Sequence, residues 1–334
     1  MNFFKKKPDI DFLAIGDTVT DAFIRLKQAE ILDSMDHTTK ELCVTFGDKV
    51  PFEYVKVIAG VGNSPNAAVS ASRLGLKSGL VSDVGDDMYG KEIIASFEKN
   101  NVDATYVTTH PHMPSNYHYV LWYDVERTIL VKHQEYPYHF PTPAKAPKWL
   151  YLSSLGHNSL PYHQEIAAYL QKHPEVNLAF QPGTYQMQFG TDALKEIYQR
   201  STIFFCNVEE AQRILKSQEH DVKKLMADLK TLGPKIVIVT DGIKGAYAYD
   251  GTTAWFMPIY PHDPFERTGA GDAFASTVTV ALALGKPLSE ALMWGPINSM
   301  SVVQKVGAQE GLLTRAQLED YLKKAPADYK PREI

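Results

Sequence analysis

Glu266-Arg267-Thr268-Gly269-Ala270-Gly271-Asp272-Ala273-Phe274 is followed by an apolar run from Ala275 to Leu284. Small residues ahead of a buried helix leave several backbone N–H groups free to converge on one point, and the helix N terminus adds partial positive charge there. Such a place suits an anion, phosphate above all. Asp272 does not belong in a site built only for affinity, because its carboxylate repels that anion. It suits a base that takes a proton from an attacking hydroxyl while the amides of Gly269, Ala270 and Gly271 absorb charge on a phosphoryl group. Read alone, the string is also an Asp-capped helix after a glycine turn. The rest of the chain decides between the two.

Around this string, strand-like apolar runs alternate with helical stretches. Phe12–Ile15, Ser78–Val81, Trp149–Leu152, Asn177–Phe180, Ile203–Phe205 and Ile236–Thr240 read as strands. Asn66–Leu74, His163–Gln171, Ala193–Arg200, Glu209–Lys216 and Val222–Leu232 read as helices. The alternation argues for a mostly parallel sheet with helices on both faces. Two regions break it, residues 22–57 and 106–140, where β-branched and aromatic residues alternate and Tyr117–Tyr123 and Thr128–Val131 look like strands paired around Asp124–Arg127.

Composition fits an enzyme of ordinary type. Apolar residues are 44% and charged residues 22% of 334, enough for a substantial core. The net charge of −5 offers no basic face to nucleic acid. The apolar run from Ala273 is too short to span a membrane, and Met1–Lys7 has its charges on the wrong side of its apolar pair for a secretory signal. Two cysteines, Cys43 and Cys206, make neither a disulfide framework nor a metal knuckle. The expected home is a reducing cytoplasm. His110, His112, His118, His133 and His139 match no zinc spacing, and no P-loop string occurs.

The Glu266–Phe274 string resembles the signature of the PfkB/ribokinase family of sugar and nucleoside kinases, whose usual form is Asp-Thr-x-Gly-Ala-Gly-Asp-x-Phe. Thr268 to Phe274 match; Glu266 and Arg267 replace the usual Asp-Thr. The resemblance spans roughly residues 10 to 318. It implies an α/β, ribokinase-like three-layer αβα sandwich with a mostly parallel sheet plus a small β-sheet lid. The kinase domain would cover residues 9–325, with lid segments at about 22–57 and 106–140, and residues 326–334 read separately as a mobile C-terminal tail. The alternative for the two irregular regions is an antiparallel extension of the main sheet.

The family pattern makes Asp272 the catalytic base and Gly269, Ala270 and Gly271 the anion hole. It puts Asp21, Gly62, Asn63 and Asn66 against substrate hydroxyls, within a Gly60–Ala68 string that looks like the first family signature. Asp21 is also readable as a turn cap and Asn66 as a helix cap. Asn207 and Glu210 match the Asn-x-x-Glu motif and would organise Mg²⁺ around nucleotide phosphates, with Glu210 acting through water; a capping pair is the bland reading. Thr240, Gly242 and Gly245 resemble the turn that skirts the nucleotide. Pro296 stands about where many members place an adenine-edge residue, leaving Asn298 as the candidate two positions on. Glu266 falls in the region of a monovalent-cation site, so K⁺ is a candidate cofactor. Its activation is expected to be weakened or absent, with Arg267 compensating electrostatically, the alternative being that Glu266 reaches the same ion. Gly85–Gly90 resembles a structural family string, and Gln181 replaces an Asp that often opens a turn.

The reading that follows is an ATP- and Mg²⁺-dependent kinase acting on a hydroxymethyl group of a sugar, or alternatively of a nucleoside. A lid rich in Tyr117, Tyr119, Trp122 and Tyr123 favours an uncharged acceptor over a sugar phosphate. A homodimer through the lid is expected. The competing class is a non-catalytic sugar or nucleotide sensor, which would gain nothing from Asp272.

Overall fold

Phe12-Leu13-Ala14-Ile15 has no polar face, and the strand it forms is buried on both sides. Such a strand belongs in the middle of a parallel sheet covered by helices, and the computed structural model places it there. The structure describes residues 9–35, 40–143, 145–263 and 265–334; the Lys5–Lys7 run lies outside them. Among these residues the main sheet has ten strands. Edge to edge they run Arg332–Glu333, Ala254–Met257, Ala246–Tyr249, Ile236–Thr240, Ser201–Asn207, Asn177–Phe180, Trp149–Leu152, Phe12–Ile15, Ser78–Gly85 and Val102–His110. From Ile236–Thr240 to Val102–His110 every pairing is parallel, and the remaining pairings are antiparallel.

Alternation along the central strand feeds two cores. Phe12 and Ala14 pack with residues of the Asn63–Arg73, Ala270–Ala283 and Leu288–Val302 helices. Leu13 and Ile15 pack on the opposite face with residues of the Leu160–Lys172 and Lys195–Arg200 helices. Helices, sheet and helices make the three layers.

A separate four-stranded sheet forms the lid, in the order Phe52–Val61, Val19–Leu26, Tyr117–Tyr123, Glu126–Leu130. It is not an edge extension of the main sheet. Its limits differ from those expected. Val102–His110 pairs with Ser78–Gly85 in the main sheet, so the second lid segment starts only at Tyr117. The first begins at Val19 and runs to Val61, with an exposed Glu30–Asp33/Lys40–Cys43 hairpin between its strands. Tyr123 pairs with Glu126, so the turn holds only Asp124 and Val125.

The segment expected to be a mobile tail is packed instead. Tyr329 is buried and its hydroxyl donates to the Met293 carbonyl at 2.6 Å. Arg332 and Glu333 pair with Phe256 and Trp255. No helix among the described residues is long and apolar enough to cross a membrane.

Candidate active site

The carboxyl ends of the parallel strands open into a cavity of 670 Å³. Asp17 follows the first strand there, and Ser154, Gln181, Asn207 and Thr240 occupy corresponding positions on four others. Ligands of open α/β sheets lie at this edge. One wall is the start of the Ala270–Ala283 helix, entered through Gly269 at φ 81°. A side chain at Gly269 would be strained at that φ, and its Cβ would lie 2.4 Å from Ala308 Cβ. Ala270, Gly271 and Asp272 are the first three residues of the helix, so their amides have no intrahelical partner, and that of Ala270 makes only a long 3.5 Å contact to the Arg267 carbonyl.

Asp272 is buried and lines the cavity. Its carboxylate accepts from Asn63 Nδ2 at 2.7 Å, from Asn66 Nδ2 at 2.8 Å and from Gln181 Nε2 at 3.3 Å. Burial pushes its pKa above the usual carboxylate value, and these three amides pull only part of the way back. The result is a carboxylate more basic than an exposed aspartate.

Asn63 and Asn66, expected against substrate hydroxyls, line the cavity and also hold Asp272. Asn66 is engaged at both ends of its amide, because its oxygen accepts from Gln309 Nε2 at 3.0 Å. Gly62 places the two asparagines by turning at φ 125°, where a Cβ would come within 2.6 Å of the Asp17 carbonyl. Gln181 is a third partner of Asp272. The Tyr151 hydroxyl donates to its oxygen and so turns its NH₂ toward Asp272.

The far side of the cavity carries two acid–histidine pairs. Asp21, in the lid, lies 3.5 Å from Nδ1 of His118 on the neighbouring strand. Asp17 Oδ2 lies 3.4 Å from His133 Nδ1, and the Tyr138 hydroxyl donates to both Asp17 oxygens at 2.9 and 3.0 Å. The two imidazoles meet edge to face with centroids 5.4 Å apart. Asp21 Oδ1, His118 Nε2 and His133 Nδ1 are buried and have no aligned hydrogen-bond partner, so the pairs are close contacts rather than closed bonds. His118, His133, Asp17 and Tyr138 went unremarked as site residues in the sequence. Asp17 lies in the connection between the Phe12–Ile15 and Val19–Leu26 strands and Asp21 within the second of them, so no strand periodicity links the two acids in the sequence. No cluster of three or more His, Cys, Asp or Glu among the described residues is arranged to hold a metal.

Asn207 and Glu210 form the capping box of the Val208–Leu215 helix. Asn207 Oδ1 accepts from the Glu210 amide at 2.8 Å, and Glu210 Oε2 accepts from the Asn207 amide at 2.9 Å. Both also line the cavity. Burial raises the Glu210 pKa, and the charge of Asp272 adds to that. The buried Asp272 and half-buried Glu210 carboxylates repel each other across this wall, and a divalent cation with oxygen ligands relieves such repulsion. The residues fit Mg²⁺ on that ground.

A second cavity of 240 Å³ adjoins the first. Gly242, Ile243, Gly245, Pro258, Ile259, Pro296 and Val303 line it, and its walls are largely apolar. Thr240, Arg267, Ala270, Gly271 and Phe274 line both cavities and mark their junction. Asn298 is a correction: it is fully buried between helices, donates to Thr277 Oγ1 at 2.8 Å and accepts from the Leu313 amide at 2.9 Å. It reaches neither cavity. Glu266 is also buried. Its carboxylate accepts from the Thr268 amide at 2.7 Å and the Gly307 amide at 3.3 Å, tying together the two loops that brace Gly269.

The pfkB family carbohydrate kinase model matches residues 31–315. The chain belongs to that family, and it is a carbohydrate kinase of the ribokinase-like fold. It is 31% identical to the cytidine kinase of Thermococcus kodakarensis over 256 residues, covering 74% of this chain and 88% of that protein. With the ribokinase of Bacillus subtilis it shares 26% over 269 residues, 78% of this chain and 87% of the relative. The nucleoside kinase of Methanocaldococcus jannaschii superposes with a TM-score of 0.75 at 16% identity, covering 95% of this chain and 99% of that one. An Arabidopsis thaliana ribokinase complexed with ribose and ATP gives 0.74 at 19%, with the same coverage. At such identities the superpositions speak for the fold.

Proposed function

We propose that the protein transfers the terminal phosphoryl group of ATP to a primary hydroxyl of a neutral sugar, with Asp272 as the general base. The observation that carries this reading is the meeting of two cavities at the Ala270–Gly271 amides, beside a buried carboxylate of raised pKa. The apolar cavity, skirted by Thr240, Gly242 and Gly245, takes the base of the nucleotide. The larger cavity takes the acceptor against Asp17, Asp21, His118 and His133. Asp272 removes the hydroxyl proton, the freed oxygen bonds to the γ-phosphorus, and the bond to the ADP oxygen breaks. Amides of Gly269, Ala270 and Gly271 hold the charge of the phosphoryl oxygens. Glu210 would hold Mg²⁺ through water, and the ion supplies charge neutralisation to the phosphates.

Two carboxylates at the acceptor end repel a phosphorylated acceptor but take hydrogen bonds from neighbouring hydroxyls. A nucleoside acceptor is the second reading, favoured by the flat rings of His133 and Tyr185, whose centroids are 5.9 Å apart. Initial rates with ribose, fructose, cytidine, adenosine and fructose 6-phosphate, read as ADP released, test both. The neutral acceptors should lead, and a preference for fructose 6-phosphate would overturn the reading of this end of the site. The same assay run in K⁺ and in a bulky organic cation should give similar rates. Glu266 already accepts from the protein at both oxygens, so its lone pairs are directed at Thr268 and Gly307 rather than at an ion; strong K⁺ activation would contradict this.

The outer lid carries exposed Phe52, Val57, Tyr119 and Leu130. Such an apolar face suits a second copy of this chain, and sedimentation at micromolar concentration should find a dimer.

A further inference from the structure

Of the five described residues that line both cavities, Thr240, Arg267, Ala270, Gly271 and Phe274, Arg267 alone is charged. A donor with its base in the small cavity and its terminal phosphate beside Asp272 must lay its phosphates across this junction. Arg267 is also tied to the lid. Its Nη1 donates to Oε1 of Glu126 at 2.7 Å, and Glu126 opens the outermost lid strand. The other oxygen of that carboxylate lies 3.7 Å from Nη1 of Arg127, which itself lines the acceptor cavity. An ion pair this exposed adds little to stability, so its interest lies in what it connects.

A guanidinium offers five N–H groups in a rigid fork. With one given to Glu126, the others remain able to grip phosphate oxygens two at a time. Resting on the kinase reading above, we propose that Arg267 binds the donor's phosphates and, through Glu126, couples their arrival to closure of the lid. Linkage makes the effect mutual: a closed lid presents Arg267 to the phosphates, and bound phosphates hold the lid shut. A lysine would keep the charge but could not serve both partners with a planar fork.

The test uses magnesium adenylyl imidodiphosphate as probe, with affinity from calorimetry and lid closure from amide hydrogen exchange across Tyr117–Leu130. In the wild-type protein the probe should bind and slow exchange in that segment, although the segment does not line the small cavity. Arg267→Gln should weaken the probe at least about 10-fold while leaving adenosine, which has no phosphates, within about twofold. Glu126→Gln should keep probe affinity within about threefold yet lose the slowing of lid exchange. A merely structural surface pair would not separate the two readouts in this way. Wild-type affinity in Arg267→Gln, or lid protection retained in Glu126→Gln or absent from the wild type, would overturn the coupling alone. Failure of the wild type to bind the probe would instead overturn the kinase reading on which it rests.

Discussion

Replacing Asp272 with asparagine is expected to lower kcat by at least about 10²-fold, the lower end for loss of a general base. The amide keeps the size of the side chain but cannot accept a proton. KM for the acceptor should move little, since the acceptor end of the cavity is built from other residues. The wild-type pH profile supplies an independent check. Burial raises the pKa of Asp272 above its ordinary 3.8, so the carboxylate takes up a proton, and activity is lost, at a higher pH than an exposed aspartate would give. The acid limb of kcat/KM should therefore lie above the usual carboxylate range and disappear in the variant's residual rate. Asn63, Asn66 and Gln181 all present NH₂ groups to position 272. Because Asn66 is pinned by Gln309, the new amide will meet one donor head-on, and rates belong well below the variant's measured Tm. Turnover within a few-fold of wild type would remove Asp272 from the role of base.

Gly269→Ala is expected to be nearly as damaging to turnover, by a different route. The residue sits at φ 81°, and the added methyl would collide with Ala308. The backbone must rotate or the Ala308 loop must move, and either displaces the amides that start the helix. Loss of one such donor costs about 10²- to 10³-fold in kcat. The left-handed conformation itself should cost about 1–2 kcal/mol of stability, visible as a lower Tm with a retained circular dichroism spectrum. Alanine at 269 with undiminished kcat would mean that these amides do not hold the transferring phosphoryl group.

What the chain discloses before folding is what lies close along it. The Glu266–Phe274 string announces its own geometry because Gly269, the helix start and Asp272 fall within one turn. The buried strands are equally plain, since Phe12–Ile15 and Ile236–Val239 are apolar on both faces. Partners from distant segments were invisible. Nothing in the neighbourhood of Asn63 and Asn66 along the chain shows that Asp272 lies beside them. Asn298 looked like a nucleotide ligand because its position on a helix does not say which face meets Thr277 and Leu313. His118 and His133 match no metal spacing in the sequence, and only the fold shows each beside an acid from near the first strand. The last residues read as a tail because two short strand positions carry no periodic signal, while a buried Tyr329 anchors them.

The bonds from Asn63 and Asn66 to Asp272 span 209 and 206 residues of chain. Contacts of such separation pay a large loop-closure entropy and form late, after local helices and neighbouring strands are in place. Asp272 is thus oriented only once the Asn63–Arg73 helix and the helix bearing the glycine string have docked on the same face of the sheet. A nascent or half-folded chain can hold the turn at Thr240–Gly245 and still leave Asp272 without its two asparagine partners. Refolding followed by recovery of turnover should lag behind recovery of helix content, and the lag measures the last docking step rather than formation of the strands.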